Sequence, residues 1–227
     1  SLGIPVIVTD HHLPGDTLPA AEAIINPNLR DCNFPSKSLA GVGVAFYLML
    51  ALRTFLRDQG WFDERGIAIP NLAELLDLVA LGTVADVVSL DANNRILTWQ
   101  GMSRIRAGKC RPGIKALLEV ANRDPQKLAA SDLGFALGPR LNAAGRLDDM
   151  SVGVALLLCD NIGEARVLAN ELDALNQTRK EIEQGMQVEA LTLCEKLERS
   201  RDTLPGGLAM YHPEWHQGVV GILASRI

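Results

Sequence analysis

The stretch VIVTDHH, Val6–His12, decides how the rest of the chain is read. Four apolar or β-branched residues run straight into an aspartate and two adjacent histidines, half of the four histidines in the chain. With Ile4 and Pro5 in front, the run Ile4–Thr9 reads as a buried strand of a parallel sheet. Ligands of open α/β sheets gather beyond the carboxyl ends of the strands, and Asp10, His11 and His12 occupy such an end. Imidazole and carboxylate together suit Mn²⁺ or Zn²⁺. The plainer alternative is a turn in which Asp10 caps the next segment and both histidines face solvent. Residue types alone leave the two open.

Working outward, LPGDTLP is turn-rich, and AEAIINPN reads as a second strand closed by Asn-Pro. Leu39–Arg57 is a long apolar helix. Gly41 and Gly43 near its start are no dinucleotide fingerprint, because the third glycine and the βαβ setting are missing. Asn71 is an N-cap with Glu74 in the capping-box position. The helix after it is expected to stop at Gly82 and to leave TVADVVSLD irregular, with Asp91 as a further cap. Helices follow around Asn93–Ala107 and Gly113–Ala121, and another runs from a cap at Ser131 towards NAAGR. From Ile162 to about Arg199 strong helix formers alternate with charges, which predicts one long connector helix. TLPGG breaks it, and GLAMYHP opens a new strand. Both ends of the chain read as cut from a longer protein.

The totals fit this picture. Aromatics are only 4% of 227 residues while apolar residues reach 48%, so the core is built from Leu, Val, Ile and Ala, as in helices packed on a sheet. The net charge of −5 gives no global sign of a nucleic-acid binder. Locally the balance reverses: between Arg104 and Asp148 nine basic residues face four acidic ones. Cys32, Cys110, Cys159 and Cys194 form no C-x-x-C pair and read as free thiols of a reducing compartment. No signal peptide or membrane-length apolar run is seen, so a cytoplasmic protein is expected. Trp61, Trp99 and Trp215 are isolated and read as packing residues.

Three more stretches carry candidate chemistry. Asp86 is flanked by Ala85, Val87 and Val88, a poor setting for a plain surface charge; an ordinary loop aspartate is the alternative. In LGPRLNAAGRLDD, Arg140, Asn142 and Arg146 bracket small residues that let a ligand approach, and arginine forks match phosphate oxygens. In YHPEWHQGVVGILASR, His212 and His216 are four apart, but Pro213 between them and the misplaced Glu rule out the H-E-x-x-H zinc helix. The stretch reads as a strand end, a polar turn and a helix N-terminus at Gln217–Gly218 that could hold a phosphate or carboxylate.

Taken in order, VTDHH at 8–12, LGTVADVV at 81–88, GPRLNAAGR at 138–146 and WHQGVVGILASR at 215–226 resemble the DHH phosphoesterase family. Their spacing is similar to that of its bacterial single-strand-specific DNA exonucleases. The resemblance covers essentially the whole chain. It implies an α/β fold: residues 1–160 as the C-terminal part of a parallel-sheet DHH domain, 161–203 as a connector helix, and 204–227 as the truncated start of a DHH-associated α/β domain. It implies 5′→3′ hydrolysis of single-stranded DNA with two divalent cations, Mn²⁺ or Mg²⁺. By position His11 and Asp86 become metal ligands, and Asp10 and His12 catalytic neighbours of the metal. Arg140, Asn142, Arg146, His216, Gln217 and Gly218 become substrate contacts, with Ser225 and Arg226 weaker members of that set. A helicase and a single-strand-binding protein are the implied partners. The family's Asp-x-Asp motif and a further aspartate would lie before Ser1, so this polypeptide alone is expected to be nearly inactive. Competing readings are a DHH enzyme for short oligonucleotides, cyclic dinucleotides or pyrophosphate, and a non-catalytic DHH scaffold.

Overall fold

The computed structural model describes residues 3–200 and 206–227. The chain divides into two compact units, Ser1–Gly138 and Pro139–Ile227.

In the first unit β1 (Ile7–Thr9) and β2 (Ala23–Ile25) pair in parallel, Val8 opposite Ile24. The sheet is where the sequence put it, but β1 is short and not buried. Ile4 and Ile7 are 69% and 65% exposed. Among the described residues β1 has β2 as its one ladder partner, so its apolar side chains are left largely uncovered.

Helices form the rest of the unit: α1 (Gly41–Asp58), the short α2 (Trp61–Glu64), a 3₁₀ turn Leu72–Leu75, α3 (Leu76–Ala85), α4 (Ala92–Arg106), α5 (Pro112–Val120) and α6 (Ala130–Asp132). Asn71 caps the 3₁₀ turn through Ala73 N at 3.3 Å. α3 does not stop at Gly82. It packs against α1 and α4, burying Leu81 and Thr83, and Gly82 is the point where Val42 of α1 fits in; a Cβ there would stand 2.7 Å from Val42 Cγ1. The packing of a neighbouring helix outweighs the glycine's low propensity. The crossing of α3 with α4 is closer still at Gly101, whose added Cβ would lie 2.0 Å from the Leu76 carbonyl oxygen. Leu39, Val44, Phe46, Leu72, Val79 and Leu97 form one core of this unit.

Buried polar groups tie these helices together. Asp77, fully buried on α3, accepts from the Arg111 amide at 2.8 Å and so fixes the start of α5. Asn94 reaches the carbonyls of Ser38 and Ser89 at 2.6 and 2.9 Å.

After α6 the helical path continues through one π turn, Leu133–Leu137, into α7 (Gly138–Leu147). Its start is Ala129, two residues before the expected cap at Ser131. The Ala129 amide donates to Asp132 Oδ2 at 2.8 Å, so the carboxylate supplies what the serine was expected to supply.

The second unit holds α8 (Ser151–Leu158), α9 (Ile162–Ser200) and α10 (Val220–Ala224). α9 is the long helix that the run of helix formers predicts, 39 residues in length. The expected break at 203–207 falls partly outside the described residues. Leu208–Tyr211 forms no strand, because no ladder partner meets it among the described residues. Met186 and Ala190 of α9 pack with Val219 and Leu223.

Asp91 caps α4 as the sequence suggested, accepting from Asn94 N at 2.8 Å and from the Ser36 hydroxyl at 2.6 Å. Desolvation pushes its pKa up, but the amides of Asn94 and Asn93 and the Ser36 hydroxyl together outweigh it and hold it below the ordinary 3.8. A depressed folded-state pKa stabilises above the unfolded value and is lost as pH falls through the folded one. Asp91→Ala is therefore expected to cost about 1 kcal/mol at pH 7. The gap to the parent should narrow below about pH 4, read by urea unfolding across pH; a gap independent of pH would contradict the capping role.

Candidate metal centre

β1 ends at Asp10, whose amide still donates to the Ile25 carbonyl at 3.0 Å. The chain then turns, and the Asp10 carboxylate organises the turn. Its Oδ1 accepts from the amides of His11 at 2.7 Å and His12 at 3.2 Å, and lies 2.7 Å from His12 Nδ1. These contacts, that of the His12 side chain first, lower the Asp10 pKa to about 2. An ionised carboxylate can only accept, so Nδ1 of His12 is the donor in this contact. His12 is mostly exposed, while the His11 side chain is 18% exposed. The two rings stand 4.3 Å apart between centroids.

Two residues that the sequence reading passed over hold this loop. Asn26 Nδ2 donates to the His12 carbonyl at 2.8 Å, and Asn28 Nδ2 to the His11 carbonyl at 2.6 Å. Asn26 in turn accepts from the Asn28 amide at 2.9 Å. The signal was present in INPN directly after β2, but Asn-Pro was read only as a strand stop. Behind the loop, Gly41 at the start of α1 keeps its backbone close to the His11 ring; a Cβ there would sit 3.6 Å from His11 Cδ2.

Asp86 arrives from the other side of the unit. It is the residue that closes α3, and its Oδ2 stands 3.4 Å from His11 Nε2. The structure thus brings together Asp10, His11, His12 and Asp86. Ligand atoms of Asp10, His11 and His12 all lie within 4.8 Å of one another. This donor set fits a cation. With bonds of about 2.1 Å, neighbouring ligands of an octahedral ion stand about 3 Å apart, close to the His11–Asp86 separation. His11 and Asp86 would hold it, with Asp10 and His12 beside them.

Asp86 is followed by Val87 at φ +60°, a left-handed conformation that β-branched residues rarely adopt. The chain turns out of α3 there, and the Val87 side chain is left 86% exposed.

The remaining candidates lie in the second unit. Arg140 is only 13% exposed, and its Nε stands 2.8 Å from Asp173 Oδ1 on α9. Asn142 and Arg146 are exposed on α7, and Arg146 Nη1 donates to the Gly218 carbonyl at 3.0 Å. Gly218 is pressed against α7 so closely that a Cβ would fall 2.2 Å from the Arg146 carbonyl oxygen. The helix expected to start at Gln217–Gly218 starts at Val220 instead, because the preceding turn is closed by His216: its Nδ1 accepts from the Gly218 amide at 3.1 Å and its carbonyl from Val219 and Val220. Gln217 is exposed. The basic run is also less open than its charge suggests. Arg106 donates to the Leu128 carbonyl, and Arg111, Arg123 and Arg140 face Asp77, Asp132 and Asp173. All four cysteines are free, and no helix among the described residues is long and apolar enough to cross a membrane.

The chain is similar to several known proteins. The family model described as the DHH family, N-terminal domain, matches residues 1–83. Across all 227 residues the chain is 98% identical to the single-stranded-DNA-specific exonuclease RecJ of Escherichia coli (strain K12), of which it spans 39%. Among solved structures it is similar to exonuclease RecJ bound to manganese, with a TM-score of 0.77 at 36% identity, over 99% of this chain and 52% of that one. It is likewise similar to RecJ in complex with Mg²⁺ from Thermus thermophilus, with a TM-score of 0.73 at 35% identity, over 99% of this chain and 31% of that one.

Val87→Gly removes a left-handed β-branched residue at the cost of a looser unfolded chain, and is expected to raise stability by about 0.5–1 kcal/mol. Chemical denaturation reads this directly; a destabilised variant would mean that the Val87 side chain is held by contacts that offset its backbone strain.

Proposed function

We propose that the chain belongs to the DHH family and forms part of a metal-dependent exonuclease that hydrolyses single-stranded DNA from the 5′ end. The observation that carries this reading is the 3.4 Å approach of His11 Nε2 to Asp86 Oδ2, on residues far apart in sequence. A plain turn with two solvated histidines would not need Asp86 there.

In this reading His11 and Asp86 bind divalent cation, Mn²⁺ or Mg²⁺. Two such cations, when bound, supply Lewis acidity, an activated water and charge stabilisation at the scissile phosphate. Asp10 fixes the loop and the ring of His12, which leaves His12 Nε2 available to a phosphate oxygen or a water. Water attacks phosphorus and the P–O3′ bond breaks, so a 5′-mononucleotide departs and the shortened strand keeps a 5′-phosphate.

Asn142 and Arg146 are the phosphate contacts the geometry favours, being exposed with donors to spare. Arg140 acts through its ion pair with Asp173, holding α7 to α9. His216 and Gly218 shape the turn against α7, and Gln217 is left to reach the substrate. Because duplex DNA must first be opened, a helicase and a single-strand-binding protein are the proposed partners, in the cytoplasm.

The site holds two carboxylates and two imidazoles among the described residues, too few anionic ligands for two dications. This chain alone is therefore expected to release no measurable mononucleotide from 5′-phosphorylated single-stranded DNA with Mn²⁺, whereas the full-length polypeptide does so. In the latter, His11→Ala and Asp86→Ala should each lower the rate more than about 100-fold, beyond the loss typical of a group that only supports a metal ligand. Equal hydrolysis of duplex, or faster hydrolysis of cyclic dinucleotides, would overturn the substrate assignment; an unaffected Asp86→Ala would overturn the site.

A further inference from the structure

Two large apolar side chains of the first unit are exposed next to the end of α3. Phe135 and Val87 are both 86% exposed. Val87 directly follows Asp86. Phe135 lies in the π turn Leu133–Leu137, which packs on the same end of α3. A Cβ on Gly134 would stand 3.3 Å from Val84 Cγ1, and one on Gly138 3.2 Å from the Ala85 Cβ. The turn therefore lies along the residues that immediately precede Asp86.

The neighbours of Phe135 make its exposure specific. Leu133, Ala136 and Leu137 in the same turn are buried. A regular α-helix would need no extra residue here; the π turn inserts one, and such insertions recur at functional sites. Leaving a phenyl ring in water forgoes about 1.5–3 kcal/mol of burial, so an aromatic here has no value to the core of this unit. Phe55 on α1 and Trp99 on α4 are also exposed, at 62% and 61%, but neither lies in the turn that packs on the end of α3.

We propose that Phe135 is a stacking platform for a nucleobase of the single strand at the metal centre, with Val87 as an apolar edge beside it. This rests on the exonuclease reading above and adds to it a means of holding a strand without reading sequence. Every base has a π face, so one phenyl ring binds all four. Duplex DNA keeps its bases stacked on one another and cannot offer one to Phe135 without unpairing, so the same contact favours single strands.

The test uses the full-length protein with Phe135→Ala, Phe135→Leu and Phe135→Trp. Phe135→Ala and Phe135→Leu should raise KM for a mixed-sequence single strand about tenfold, the middle of the range for loss of one stacked base, with kcat changed less than about threefold. Phe135→Trp should restore KM; equal behaviour of Leu and Trp would reduce the role to simple apolar packing and overturn the proposal. An abasic nucleotide is then walked from the 5′ end. The parent should lose affinity at one position, and Phe135→Ala should lose nothing further there; additive losses at every position would also overturn it. Without divalent cation, 2-aminopurine at that position should be quenched by the parent and not by Phe135→Ala. This binding signal separates the two readings: an enzyme that shows the quenching but releases no nucleotide would sink the exonuclease assignment and leave the stack, while release without any Phe135-dependent quenching would do the reverse.

Discussion

The arrangement depends on holding one imidazole nitrogen against one carboxylate oxygen, His11 Nε2 and Asp86 Oδ2, when the two are delivered by different kinds of structure. His11 comes from a strand end, and a strand end is soft: β1 has three residues and, among the described residues, one ladder partner. Asp86 comes from a helix end packed between α1 and α4, which is stiff. The loop compensates for its weak strand with hydrogen bonds. Asp10 gathers two amides and an imidazole on one oxygen, while Asn26 and Asn28 take the carbonyls of both histidines. Almost every polar group of the Asp-His-His turn thereby has a partner within the loop or on β2. The loop's geometry then follows from its own bonding more than from burial in a core.

The helices supply what the sheet does not. α1 begins at Gly41 against His11 and meets α3 at Val42–Gly82, so the same helix touches the histidine loop at its first residue and the Asp86 helix at its second. One rigid element thus spans both halves of the site. Asp77 and Asn94 link α3 and α4 to loops that would otherwise only cross them. A polar group lost there would leave its partner buried and unpaired, which costs more than the bond itself contributes.

Much of this was legible in the sequence because it rests on local rules. The strand-to-polar transition at Thr9–Asp10, the caps at Asn71 and Asp91, and the long run of helix formers after Ile162 each follow from the residues within a few positions. What was not legible rests on partners distant in the chain. Gly82 looks like a helix stop until Val42 occupies the space its missing side chain leaves. Gly218 looks like a helix start until Arg146 presses its backbone against it. Ile4–Thr9 has the composition of a buried strand, yet burial is a property of its neighbours, and the described residues provide one. Asn26 and Asn28 were missed for a related reason: a strand-closing dipeptide and a loop clamp use the same letters, and only the facing carbonyls tell them apart.

Charge was the least reliable guide, and the reason is general. A count of nine basic against four acidic residues treats every cation as available, but availability depends on what each guanidinium already faces. Arg111, Arg123 and Arg140 sit beside Asp77, Asp132 and Asp173, two of these in the first unit and one on α9. Asp77 and Asp173 lie outside the stretch that was counted, so the surplus is partly neutralised by residues the count never saw. Apolar exposure behaves in the opposite way. A buried phenyl ring is ordinary and needs no function, whereas a ring left in solvent on a turn that packs on the end of α3 forgoes burial that the fold could have used. The informative side chains near Asp86 are therefore the ones the helical core leaves out, and they border the same turn that presents the carboxylate.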